Sequence, residues 1–572
     1  MTKELKDIQP LGWGRSDSKK RYVVLGIRMP SGKGRRIVLS SSDALGVPTY
    51  LASKVLEYGG AALSAAQVKE AQTEARAQSR KPALFRIIDT LGWSADKQIF
   101  SHPNKFLAPQ NQNVLTFLEH NEFRSKFVVR GSLAQWKNTV GLIARGNSRI
   151  IFGLALALTG PLLPLLGKKH FIVSLLGEAE CGKSTIAAVA SLCWGCHRDG
   201  DRATDIGACE IFTNTLAKLD VIFAAHHHMF LGLDETRTNY GGASKLAELL
   251  QQMIMRHSLG QGMGRYNEPD GVREFCVPII VTTNKSLRDL EHGSKVTFDQ
   301  AHFSRWLEVQ APCEGDGMFE DLHDHKTKGT FCAAIKEAAI DCAGTPAVSF
   351  LMWLQSEATR NLPSLQNDLK NLHAAHLNAL RDLMSTDYEN DKLERAAVAF
   401  ASIWTAGIVA IWAGVFPFTE DEIAWSVQSC FRSYLGLLHQ SDQASAEAAD
   451  YARAIYDFGV QYEVDLPVAG SKNTLVEGVH DHAQCQGYWF EIRKGVWELL
   501  LSGRQFETLV SALGSALDAK DKLAEVGAIA FDGPKGSRRF SVKRTIGLKV
   551  DGTLWREQMI GLPWERIKKL AM

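Results

Sequence analysis

Net charge is nearly absent: 65 Lys and Arg against 63 Asp and Glu leave +2 on 572 residues. That excludes a globally basic nucleic-acid coat, so any DNA contact must come from local patches. Repeats and long low-complexity linkers are also missing. The ten cysteines follow no repeating spacing, which argues against a disulfide framework and fits free thiols in a reducing cytoplasm. Cys193-Trp194-Gly195-Cys196-His197 matches the haem-attachment pattern C-x-x-C-H. It sits on or just beyond a helix, however, and the opening MTKELKDIQP is no signal peptide. Two buried helix cysteines are the better reading. His226-His227-His228 has no companions at zinc-like spacing and reads as the lead into a strand. One uncharged stretch, Ile150–Gly167, is long enough to span a membrane. Two prolines and two internal glycines interrupt it, so it reads as a buried helix under a sheet and no membrane partner is expected. A hydrophobic content of 45% with 22% charge is that of a globular chain of about three or four domains.

Against those absences stands Gly177–Ser184, GEAECGKS, which is G-x-x-x-x-G-K-S. The β-branched run His170–Leu176 before it reads as a buried strand, and Thr185–Trp194 after it as a helix. Strand, glycine loop and helix form a phosphate-binding context. The backbone of Gly177, Glu178, Ala179, Glu180, Cys181, Gly182, Lys183, Ser184 and Thr185 would cradle the phosphates of ATP. Lys183 would reach the β- and γ-phosphates, and Ser184 would hold Mg²⁺.

A second strand, Met229–Glu235 (MFLGLDE), ends in two acids about 50 residues on. Asp234 would orient the Mg²⁺ shell, and Glu235 would polarise an attacking water as general base. A third, Val277–Asn284 (VPIIVTTN), ends at Asn284, which fits a sensor that places that water. In His302–Val309 (HFSRWLEV), Arg305 is either a surface ion pair or an arginine donated to a neighbouring subunit's γ-phosphate.

In this order the features resemble an AAA+ ATPase. Phe303-Ser304-Arg305-Trp306 is similar to the Ser-Arg-Phe finger of minichromosome-maintenance helicases, with Trp replacing Phe. Over about residues 20–550 the chain resembles the bacterial and phage family called domain of unknown function 927. The matching features are Gly92-Trp93, the apolar helix running into the phosphate loop, Trp194-Gly195, GQGMGR at Gly260–Arg265 and the helical region Leu393–Gly414. The resemblance implies the ATPase core of a self-loading replicative helicase of a phage or mobile element. DNA would be its partner, and the chain would form a homo-oligomeric ring, expected as a hexamer.

The expected fold class is α/β, an AAA+ P-loop core with flanking domains. Residues 1–125 read as an α+β domain, with strands at Arg21–Arg28 and Arg35–Ser40 and helices at Val47–Tyr58 and Ala65–Ala77. Its cluster of Lys19, Lys20, Arg21, Lys33, Arg35 and Arg36 is either a phosphate contact or a solvated face. The ATPase spans 126–345. Within it, Arg256–Phe275 is a hairpin or a surface loop; as a pore hairpin it would offer Arg265 and Tyr266 to DNA. Residues 346–465 read as a helical lid, with helices at Leu393–Gly414, Glu420–Leu438 and Ser441–Tyr462. Residues 466–572 read as a winged-helix-like module, with helices at Gln505–Ser515 and Asp518–Glu525 and strands at Ala528–Phe531 and Arg538–Arg544. Its wing would present Arg538, Arg539, Lys543 and Arg544 to DNA. The expected function is a cytoplasmic ATP-dependent DNA translocase or helicase. The alternative is an ATP-dependent switch or scaffold in mobile-element maintenance or defence that unwinds nothing.

Overall fold

The computed structural model describes residues 6–572 apart from 104–105, 109–112, 118–126, 196–208, 212–214, 235–242, 263–273, 293, 295, 313–314, 385–389, 471–474, 478–484 and 531–539. By compactness the chain forms two units, Met1–Leu287 with Val296–Tyr434, and Arg288–Lys295 with Leu435–Met572. The division falls inside the helix Glu420–Gln461.

The first unit opens with Ile8–Ser16 (β1), Arg21–Arg28 (β2) and Gly34–Ser40 (β3), an antiparallel meander. Phe85–Ile88 (β4) adds parallel to β1. Gly92–Trp93 (β5), Phe100–Ser101 (β6) and Phe106–Leu107 (β7) make a small antiparallel sheet of their own. Val114–Thr116 (β8) then completes the larger sheet in the order β3-β2-β1-β4-β8. Side chains alternate across a strand. Val23, Leu25, Ile27, Ile37 and Leu39 therefore share one face, packed on helices Pro48–Glu57 and Ala65–Gln78. Tyr22, Val24, Val38 and Ile87 share the other. Ser64 and Gln67 close a capping box at the start of Ala65–Gln78.

The central sheet comprises Ile172–Leu176 (β9), Cys209–Ile211 (β10), Leu231–Asp234 (β11), Ile279–Thr283 (β12) and Trp306–Gln310 (β13). All pairs are parallel, in the order β10-β11-β12-β9-β13. Every residue of β9 and β12 is buried, as continuous apolar runs in a parallel sheet covered on both faces should be. Helix Ser148–Ala157 is buried along its whole length. It packs closely on the helix Lys183–Leu192, where a Cβ on Gly153 would stand 2.8 Å from Ile186 Cγ2. The stretch Ile150–Gly167 is thus buried as expected, but it is not one helix: the chain turns after Ala157 and resumes only at Leu163–Leu166. The break falls where the Gly160 backbone presses on Met229, whose carbonyl oxygen would lie 1.8 Å from any Cβ there.

Asn390–Trp412 is a helix as expected. It is the one described helix long and apolar enough to cross a membrane by length and composition, yet 78% of its apolar window is buried. The two helices expected between Glu420 and Tyr462 are a single one, Glu420–Gln461, because no breaker separates Leu438 from Ser441.

The second unit carries Val468–Ala469 (β14), Tyr488–Arg493 (β15), Val496–Leu501 (β16), Val542–Leu548 (β17) and Leu554–Pro563 (β18), in the order β14-β15-β16-β18-β17. Helices Gly503–Val510, Ala516–Glu525 and Trp564–Ala571 pack on it. The strand expected at Ala528–Phe531 is reduced to an isolated bridge between Ala530 and Gly561, with Phe531 outside the described residues.

Candidate active site

The loop Gly177–Ser184 leaves the carboxyl end of β9 and runs into the helix Lys183–Leu192. Gly177 N–H donates to Thr283 O at 3.2 Å, which ties the start of the loop to the end of β12. Glu178, Ala179 and Glu180 are exposed, and Glu180 takes a left-handed φ of 62°. Gly182 has φ 102°, and a Cβ there would meet the Phe319 ring at 2.4 Å, so the position admits only glycine. Gly182 is the N-cap and offers no side chain to the first helical N–H groups. A helix N-terminus of this kind offers backbone N–H groups and the positive end of the helix dipole to an anion. Lys183 is buried, and its ammonium donates to the carbonyl oxygens of Gly177, at 2.9 Å, and Glu178. Thr185 is buried behind it.

Asp234 ends β11, and its Oδ1 accepts from Ser184 Oγ at 2.9 Å and from Thr282 Oγ1 at 2.5 Å. One carboxylate oxygen thus joins the loop helix, β11 and β12. Hydroxyl and carboxylate oxygens are the donors a hard cation such as Mg²⁺ takes alongside phosphate oxygens, so Ser184 and Asp234 fit that ion. Asn284 stands just past β12 and is exposed. The site therefore gathers at the carboxyl ends of β9, β11 and β12, where ligands of open parallel sheets bind.

Arg305 is elsewhere. It precedes β13, which runs parallel to β9 with Trp306 beside Ile172 and Gln310 beside Leu176. Arg305 therefore lies at the amino edge of the sheet, and the loop beyond the carboxyl edge. Its Nη1 donates to Ala301 O at 2.6 Å. Partial burial and then the nearby Arg395 push its pKa below the usual guanidinium value, with Asp299 opposing. Arg395 Nη1 in turn donates to Ser304 Oγ at 3.2 Å.

Of the expected DNA contacts, Lys543 is exposed on β17. Arg544 is engaged within the sheet: its Nε donates to Glu498 Oε2 at 2.8 Å, and the Glu498 side chain is fully buried. The guanidinium is needed to neutralise that carboxylate. Glu235, Arg265, Tyr266, Arg538 and Arg539 lie outside the described residues. The ends of the Arg265 segment are held together, with Gln261 bridged antiparallel to Glu274 and Phe275 N–H donating to Gly260 O.

Two contributors escaped the sequence reading. Thr282 carries no motif, although a threonine two residues before Asn284 on an apolar strand was the available signal. The second is the turn Asp316–Phe319, which clamps the loop. Met318 N–H donates to Cys181 O at 2.7 Å, and Gly317, with φ 69°, lies so close that a Cβ would stand 2.3 Å from that oxygen.

Similarity to known proteins agrees with this architecture. A solved structure described as "SCCmec type IV Cch - active helicase" aligns over 99% of this chain and 95% of its own, with a TM-score of 0.57 and 13% identity. At that identity the likeness is one of fold. A second, described as "The A form apo structure of NrS-1 C terminal region-CTR", covers 71% of this chain and 88% of its own at 10% identity, but its TM-score of 0.27 carries no argument. No curated protein matches the chain. Residues 22–274 match the family model described as Domain of unknown function (DUF927).

Proposed function

We propose that the chain is an ATP-dependent DNA translocase, the helicase of a phage or mobile element, built on an AAA+ P-loop core and working in the cytoplasm as a ring. The observation that carries this reading is the Ser184–Asp234–Thr282 node beside the Gly177–Ser184 loop. Backbone N–H groups and Lys183 would hold the ATP phosphates. Bound there, Mg²⁺ would neutralise charge between the β- and γ-phosphates, held by Ser184 and Asp234. Glu235 follows Asp234 directly and is assigned as the base that takes a proton from the attacking water, with Asn284 positioning that water. The fold likeness to a helicase supports the same class. The four-part division at 125, 345 and 465, and the winged-helix character of the last part, belong to this proposal.

The test is phosphate release with and without single-stranded DNA at 50 and 200 mM salt. Turnover that rises several-fold with DNA, and vanishes in Lys183→Ala, is the expected result. ATP turnover indifferent to DNA would leave an ATP-dependent switch or scaffold instead.

A further inference from the structure

The chain is nearly neutral, but its first sheet is not. Residues 8–40 hold eight Lys and Arg and a single acid, Asp17. That acid is engaged by Arg86 at 2.9 Å. Arg28, Lys33, Arg35 and Arg36 cluster on the β2–β3 hairpin, all exposed, and none forms an ion pair among the described residues. β3 is an edge strand. Alternation places Arg36 and Arg28 on the face of Tyr22, Val24 and Val38, opposite the helices. Arg36 pairs in register with Gly26, and the absent side chain leaves its guanidinium free to reach across the sheet. It lies over the Phe85 ring at 5.7 Å. Arg35 is stacked on Tyr58 at 5.9 Å and donates to Tyr58 O at 2.9 Å.

We propose that this hairpin face binds single-stranded DNA, with Arg28, Lys33 and Arg36 on phosphates and the Arg36–Phe85 stack offering a flat surface to one base. Charge complementarity selects a polyanion. The planar stack selects an unpaired base, because bases in a duplex present no free face. β2 spans about 27 Å at ~3.4 Å per residue, enough for a few nucleotides. DNA as the ligand is taken from the function proposed above; the site itself stands on the hairpin.

The test uses the full chain without nucleotide, and fluorescence anisotropy of labelled dT20 and of a duplex of equal length. The triple variant Arg28→Ala, Lys33→Ala, Arg36→Ala should bind dT20 at least tenfold more weakly. Its salt slope should flatten by about two, since each phosphate contact on a single strand contributes about 0.7. Basal ATP turnover should not change, which also shows that the variant folds. Arg36→Lys keeps the charge but loses the planar stack, and should weaken dT20 more than duplex. An unchanged affinity of the triple variant for dT20 overturns the proposal, as does an equal loss for duplex. The two readings fail separately: a chain that binds dT20 through this face but turns over no ATP refutes the translocase alone.

Discussion

Replacing Arg305 by Ala tests whether one subunit completes its neighbour's site. Arg305 lies at the amino edge of β13, and the four register steps from Trp306–Ile172 to Gln310–Leu176 separate it from the start of the loop. At ~3.3 Å per residue the sheet alone interposes about 13 Å. The side chain is moreover turned onto Ala301 O, in the preceding helix Gln300–Phe303. An arginine so placed cannot touch its own subunit's γ-phosphate, so a catalytic role would have to be in trans. Fingers of this kind contribute about a thousandfold or more to turnover, which is about 4 kcal/mol of barrier. Arg305→Ala should therefore keep ATP affinity and lose turnover by that factor. Its melting temperature should hardly move, because only one hydrogen bond at a partly exposed residue is removed. Fluorescent-nucleotide binding and phosphate release separate the two effects. For the unmutated chain, specific activity should rise steeply with concentration as subunits associate. Mixing Arg305→Ala with Lys183→Ala should restore part of the rate, because an interface then exists with an intact loop on one side and an intact arginine on the other. A verified monomer that turns over at the full rate would refute the argument.

Arg544→Ala should cost about 3–5 kcal/mol, because it strands the fully buried Glu498 carboxylate, whereas the double change to Met at both positions should recover most of that loss. The midpoint of urea unfolding reads it out, and an unmoved midpoint would return Arg544 to the candidates for DNA contact. Burial, and then Lys97 and His170, depress the His227 pKa to about 4, and its Nδ1 accepts from Cys276 N–H at 3.1 Å. The unfolded chain, with a His pKa near 6.5, binds the proton more readily. Stability is therefore complete above pH 6.5 and falls as pH drops toward 4, by about 3 kcal/mol at the lower end. Melting temperature against pH should show this fall, and His227→Gln should flatten it; equal slopes for the two proteins would remove His227 as the cause.

Local pattern was legible wherever one side of an element meets the core. Arg21–Arg28 is a strand over the span read from its β-branched run, and the helix expected at Ala65–Ala77 is Ala65–Gln78. The misses share a cause. Ile150–Gly167 is uniformly apolar, so periodicity could not show where it breaks; the break falls at Gly160-Pro161, where proline cannot continue the helix and the glycine backbone lies against Met229. Glu420–Gln461 reads as two helices because its sequence turns polar and Ala-rich between Leu438 and Ala448, but no glycine or proline there stops the helix, which returns to the core at Ala448, Tyr451 and Ile455.

The site divides along the same line. The loop is contiguous in sequence, and its shape follows from its own glycines. Thr282 and the Asp316–Phe319 clamp act only across strands and turns that the fold brings together. The ion pair of Arg544 was legible from signals the sequence did contain. In β17 the period of two puts it on the side of the buried Val542, and puts Lys543 on the other. In β16 an acid, Glu498, stands inside VWELLL, where every following residue is buried. A carboxylate in such a strand requires a cation within reach. Arg544, on the inward side of a strand in the same sheet, satisfies that requirement; Lys543, facing outward, does not. Alternation together with the misplaced acid thus marks Arg544 as the partner of the buried carboxylate and Lys543 as the outward-facing cation of the pair.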